Sequence, residues 1–343
     1  MLTFPALFNK RRRSAATVDL KAITSVDAAS GETGLILRWH PTTNHVLVGS
    51  TNTGKEIAIY SFNGTTLSEA ATVNLGALCI GVSWNPDGDF FAATNYSGND
   101  LKVYSWNGSD TVAQVATIDL SLSTRYCDWS PDGDYLAVGT QTGAGAELRV
   151  YSWNGTDTLT SAETVDLGAE VAYLAWSHDG DYLATIQNTK LVVYSWNGTD
   201  TLAEIDDYTL GGGTGRGIIW SNDDKYLFFS GSYASKNIVV ISFDGTTLAE
   251  ESYIAIGSVD VYRAGLDSTG KFLFYSNYAL AGITTIIRAY SWNSGTETLT
   301  EVDTLTLSSD GAYDVDINYN NDYIAYPGVR AESKVLRVAS TGL

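Results

Sequence analysis

Three arginines are the residues of this sequence best placed to do chemistry. Arg125 and Arg216 each stand four residues before a tryptophan, Trp129 and Trp220, and Arg263 stands three before Leu266. They are conspicuous in a chain with a formal charge of −19 and only eleven arginines. A guanidinium presents a planar fork of N–H donors that matches a carboxylate or a phosphate. The same three side chains can instead pair with nearby acids such as Glu170 and Asp260.

Other groups offer less. The three histidines are His40, His45 and His178. His40 and His178 fall in distant copies of one repeated segment, so a shared general base or zinc site is not expected. The Pro-Asp-Gly-Asp runs bring Asp87, Asp89, Asp132 and Asp134 into short turns. They lack the longer series of oxygen ligands that a calcium loop uses. Asn63, Asn107, Asn154 and Asn197 begin Asn-Gly-Ser/Thr triplets, which read as turns before they read as glycosylation acceptors. Cys79 and Cys127 sit at different offsets before Trp84 and Trp129, too far apart along their strands for a disulfide. The expectation is no catalytic residue, no metal and no cofactor.

These residues hang on a repeat. The segment LRVYSWNGTDTL (148–159) recurs at 57–67, 101–112, 191–202, 238–248 and 287–299. Polar and apolar residues alternate, and an Asn-Gly pair then signals a type I′ hairpin with both residues at positive φ. Between copies lies a second segment, VSWNPDGDFFA (82–92), CDWSPDGDYLA (127–137) or LAWSHDGDYLA (174–184). Its aligned position falls at Trp39, Trp84, Trp129, Trp176, Trp220, Leu266 and Ile317, with steps of 44 to 51 residues. Four short strands per unit of that length, a to d, describe a propeller blade. The seventh unit has strands a (312–317), b (323–327) and c (335–339) but no d. The stretch ATVDL (16–20) copies ATVNL (71–75) and ETVDL (163–167), so the N-terminus is expected to supply it.

On these motifs the chain resembles seven-bladed β-propellers of the tryptophan–aspartate-repeat and lactonase-like superfamilies, over about residues 16–340. The resemblance implies an all-β fold of seven blades, four antiparallel strands each, closed by the N-terminal strand. The a–b and c–d turns, nearly uniform, would share one face of the ring. The variable b–c and d–a loops would share the other, and with them Arg125, Arg216 and Arg263 as a ligand- or partner-binding set.

The acidic composition argues against nucleic acid and anionic membranes as partners. Residues 1–14, MLTFPALFNKRRRS, stand apart from the propeller of 15–343. Phe4 and Phe8 with Lys10, Arg11, Arg12 and Arg13 read as an anchoring arm for another subunit. The expected function is therefore non-enzymatic: a structural or interaction propeller tethered to a larger assembly. Near-identical repeats, few lysines and a basic arm resemble phage virion propellers, which implies a decoration, fibre or tail component, in a virion or otherwise in the cytoplasm. A lactonase-like hydrolase and a sugar-binding propeller that reads a host glycan through Tyr96, Tyr233 and Tyr278 are the alternatives.

Overall fold

The computed structural model describes residues 17–27, 34–51, 53–97, 100–143, 145–209, 213–232, 236–257, 259–278, 285–307, 312–327 and 334–343. Phe4, Phe8, Lys10, Arg11, Arg12, Arg13 and the boundary at residue 14 lie outside them. So do Tyr233 and the side chain of Tyr278.

The described residues form seven four-stranded antiparallel sheets, each in the order a-b-c-d. Blade 3 is representative, with strands Thr124–Trp129, Tyr135–Thr140, Leu148–Trp153 and Leu159–Val165. The inner strands of the other blades are Gly34–Trp39, Cys79–Trp84, Val171–Trp176, Gly215–Trp220, Asp260–Leu266 and Asp316–Ile317. The last is shorter than the sequence pattern suggests. No helix among the described residues is long and apolar enough to cross a membrane.

Burial follows the alternation. Strands b and c are almost wholly buried, as in YLAVGT (135–140), because blades cover both of their faces. Strand d of blade 5, Leu248–Ile254, alternates between exposed and half-buried at the rim. The repeated tryptophans fill the wedges between blades, and four of the five at the aligned position also tie blades together. The indole Nε1 of Trp84, Trp176, Trp220 and Trp39 donates to the carbonyl of Arg38, Asp128, Ala175 and Asp316 respectively. In each case the acceptor precedes the aligned tryptophan position of an adjacent blade, so one indole satisfies its donor while bridging two inner strands.

The ring is closed by the N-terminal strand, but by a different stretch from the one expected. Lys21–Asp27 pairs with Lys334–Ser340, Lys21 opposite Ser340 and Asp27 opposite Lys334. The pairing copy is therefore TSVD (24–27), not ATVDL (16–20). Spacing explains the difference. Leu75 and Leu167 precede the next tryptophan by nine residues, whereas Leu20 precedes Trp39 by nineteen. Residues 17–20 instead run on past the strand, with Val18 and Leu20 buried beside Phe272 and Phe274. The backbone N–H of Leu20 donates to Asp303 of blade 6 at 2.6 Å.

The Asn-Gly turns also differ from expectation. Gly64, Gly108, Gly155, Gly198 and Gly245 take positive φ, but the residues before them do not, so these are not type I′ turns. The asparagine acts through its side chain. Asn154 Oδ1 accepts from the backbone N–H of Thr156, Asp157 and Thr158 at 2.9–3.0 Å. A local acceptor for successive amides stabilises the longer loop that its sequence codes.

Candidate functional site

The inner strands converge on a cavity of about 450 Å³ at the face where strands a begin. All seven blades contribute to its lining, through Ile36, Ile80, Arg125, Tyr173, Arg216, Arg263 and Asp314 among others. Arg125, Arg216 and Arg263 are thus gathered into one site on the b–c and d–a face.

Two glycines set the positions of two of these arginines. A Cβ on Gly81 would lie 2.8 Å from the carbonyl oxygen of Arg125, and one on Gly217 would lie 2.6 Å from the Cα of Arg263. Only glycine lets the neighbouring inner strand approach so closely. The hydroxyls beside them complete the device. Thr94 Oγ1 donates to the Arg125 carbonyl at 2.5 Å, and Ser230 Oγ donates to the Tyr262 carbonyl at 2.8 Å.

The arginines differ in how their charge is met. Arg125 Nε lies 2.5 Å from Glu170 Oε1, and the guanidinium stacks 5.1 Å from the ring centre of the exposed Tyr96. Arg216 Nη2 reaches Asp260 Oδ2 only at 3.5 Å. Local acids therefore take up part of this charge. Below them Arg38 Nη1 lies 2.7 Å from Asp314 Oδ2, which also accepts from the N–H of Leu37. Arg263 makes no ion pair among the described residues, and its Nη1 is buried without a hydrogen-bond partner. Burial depresses its pKa, an effect that Asp314 and Asp316 oppose.

Tyrosines supply the remaining walls. Burial pushes the Tyr173 phenol up to about 12, and it pushes Tyr262 up as well. Both stay protonated at neutral pH. Deeper in the channel Asp128 accepts from Ser83 Oγ and the Trp176 N–H, which links blades 2, 3 and 4. Burial raises its pKa to about 6 against the pull of those bonds and of Arg38. Asp316 is raised for the same reason.

Sequence reasoning found the three arginines but missed Glu170 as more than a neutralising partner, and it missed Tyr126, Tyr173, Tyr262 and Asp314. Tyr126, Tyr173, Arg263 and Asp314 stand three residues before the aligned tryptophan position, and Arg125, Arg216 and Tyr262 stand four before it, so two adjacent positions of strand a line the cavity where the a–b pairing shifts register.

The histidines serve the frame. His40 Nε2 lies 3.1 Å from the Gly88 carbonyl, and His178 Nδ1 lies 2.9 Å from Asp224 Oδ1, each across a blade boundary. Among the described residues no three His, Cys, Asp or Glu side chains group as a metal-holding set.

Residues 135–258 match the model of the family described as "Lactonase, 7-bladed beta-propeller", and residues 32–167 match that of eukaryotic translation initiation factor eIF2A. No curated protein sequence matches. Among solved structures the chain is similar to the Cps50 (Swd1) β-propeller domain of Myceliophteria thermophila, with TM-score 0.70 and 11% identity, covering 94% of this chain and 100% of that one. It is also similar to the periplasmic gluconolactonase PpgL of Pseudomonas aeruginosa, with TM-score 0.68 and 16% identity, covering 91% and 100%. At such identities the structural likeness speaks for the fold. The lactonase match, with a gluconolactonase among the similar folds, corrects the expectation of a protein without enzymatic activity and points toward a hydrolase. The sequence reading had looked for convergent acids, a metal or a histidine at the channel mouth, whereas the charged groups lining this cavity are Arg125, Arg216, Arg263, Glu170 and Asp314.

Proposed function

We propose that the protein is a lactonase-like hydrolase whose site is the arginine-lined mouth of the channel. The observation that carries this reading is the meeting of Glu170, Arg125, Arg216 and Tyr173 in one cavity, within a chain whose residues 135–258 resemble lactonases. Glu170 is the general base. Only its Oε1 is engaged by Arg125, and its side chain is 30% exposed. Oε2 is left to take a proton from water as the water oxygen adds to the lactone carbonyl carbon. Negative charge then develops on the carbonyl oxygen, where Arg216 and the Tyr173 hydroxyl act as fixed donors. Collapse of the adduct breaks the bond to the ring oxygen. The proton held by Glu170 passes to that oxygen and leaves a hydroxy acid.

Titration of the acid released from a panel of γ- and δ-lactones, corrected for spontaneous opening, tests the reading. Wild-type protein should accelerate at least one lactone. Glu170→Gln should lose about a hundredfold or more of that rate. No acceleration of any lactone, or an undiminished Glu170→Gln variant, would remove it.

A further inference from the structure

We infer that the floor of this cavity is a seat for a small oxyanion, a carboxylate or phosphate group carried by the ligand. The inference shares its location and Arg216 with the hydrolase reading but adds Arg263 and Tyr126 and is separable from it by experiment.

Its ground is an inventory of donors without acceptors. Arg263 Nη1, Arg216 Nε and the hydroxyl of Tyr126 are buried and lack a hydrogen-bond partner, and all three residues line the cavity. Arg38 Nη2, just beneath, is in the same condition. Tyr126 is only 2% exposed, and the guanidinia of Arg263 and Arg38 lie 4.9 and 5.4 Å from its ring centre. Leaving a buried donor unmet is costly, and more so for a charged one. Three such groups on one cavity are matched by a ligand group rich in acceptors and negatively charged.

No nearby acid reaches these donors. Glu170 is held by Arg125 at 2.5 Å. Asp314 accepts from Arg38, Leu37 and Val315, within 3.1 Å in each case. Asp260 reaches only Arg216, at 3.5 Å. The lining sums to three arginines against Glu170 and Asp314, a positive spot in a chain of net charge −19. The surrounding acidity would repel anions from the rest of the surface and leave this mouth as their place of attraction.

Calorimetric titration of the full-length protein with sodium gluconate, inorganic phosphate and, as a neutral control, glucose tests the seat at low ionic strength. At least one anion should bind while glucose does not, and the tighter of the two anions tells whether the natural group is a carboxylate or a phosphate. Arg263→Gln should weaken that binding about tenfold or more. Arg216→Gln should weaken it too and serves if Arg263→Gln does not fold. Absence of binding by both anions, equal binding of glucose, or wild-type affinity in the folded variants would overturn the inference. Arg263-dependent anion binding without lactone hydrolysis would leave the seat standing and remove the hydrolase reading. Hydrolysis of neutral lactones by a protein that binds neither anion would do the reverse.

Discussion

The two faces of the ring are made from the same repeat and end in opposite states. On the a–b and c–d face, polar groups meet one another from blade to blade. His40 reaches Gly88, Asn85 Nδ2 donates to the Gly133 carbonyl, His178 meets Asp224, and Asn222 Nδ2 donates to the Ser268 carbonyl. This face has its own recess of about 610 Å³ lined by Asp179, Asp223, Asp224 and Asp244, whose carboxylates are spent on local turns and cross-blade bonds. On the other face the repeat is broken at single positions. Where one blade has Gly217 three residues before its tryptophan, the next has Arg263 at the aligned position, and buried donors there have no partner. Periodic positions hold the ring together. Aperiodic positions on the same strands are where a ligand can be recognised.

The largest effect should come from cutting the periodic frame. Deleting residues 1–27 removes the strand that pairs with Lys334–Ser340 and exposes two sheet edges. The melting temperature should fall on the order of 10 °C or more, read by circular dichroism, or the protein should not fold. A melting curve like that of the full chain would show that closure is not what holds the ring.

Next is a single wedge. Trp220, 1% exposed, packs against Phe243 and donates to Ala175. Trp220→Ala should cost about 3–5 kcal/mol in denaturant unfolding. A loss below about 1 kcal/mol would mean that the aligned tryptophans do not carry the blade contacts.

Asp128 gives a smaller, pH-dependent effect. The folded protein keeps its proton up to about pH 6, while the unfolded chain releases it near the ordinary value of 3.8. The folded state therefore binds more protons in between, and stability falls as pH rises through that window. The difference in unfolding free energy between wild type and Asp128→Asn should drift by about 2 kcal/mol from pH 4 to pH 7, in favour of the variant at the higher pH. A difference independent of pH would place Asp128 outside the low-polarity floor.

The smallest effect belongs to a single stitch of the uniform face. The His178–Asp224 contact is half exposed on the histidine side. His178→Ala should cost about 1 kcal/mol or less and leave any hydrolysis untouched. A loss of activity would link the two faces.

What the sequence revealed divides along the same line. The blade count, the strand order and the common face of the three arginines were legible because each rests on a signal repeated at every turn of the ring. The closing strand was misplaced because ATVDL at 16–20 and TSVD at 24–27 both copy a d strand, and only the distance to Trp39 separates them. The rest of the channel floor was not legible for a different reason. Tyr126 and Asp314 lie in separate blades and meet Arg263 in one cavity only when the ring brings their strands to one axis. The pairing of Glu170 with Arg125 was foreseeable from adjacent blades, yet nothing in the sequence says that one of its oxygens stays open.

The most direct test sets the two faces against each other. Glu170→Gln at the channel mouth and Asp224→Asn in the opposite recess, both shown to be folded, are compared with wild type for lactone hydrolysis under one set of conditions. The account predicts a loss of about a hundredfold or more for Glu170→Gln and a rate within about twofold of wild type for Asp224→Asn. A rate that falls with Asp224→Asn and not with Glu170→Gln would place the chemistry on the uniform face and contradict the assignment of the site.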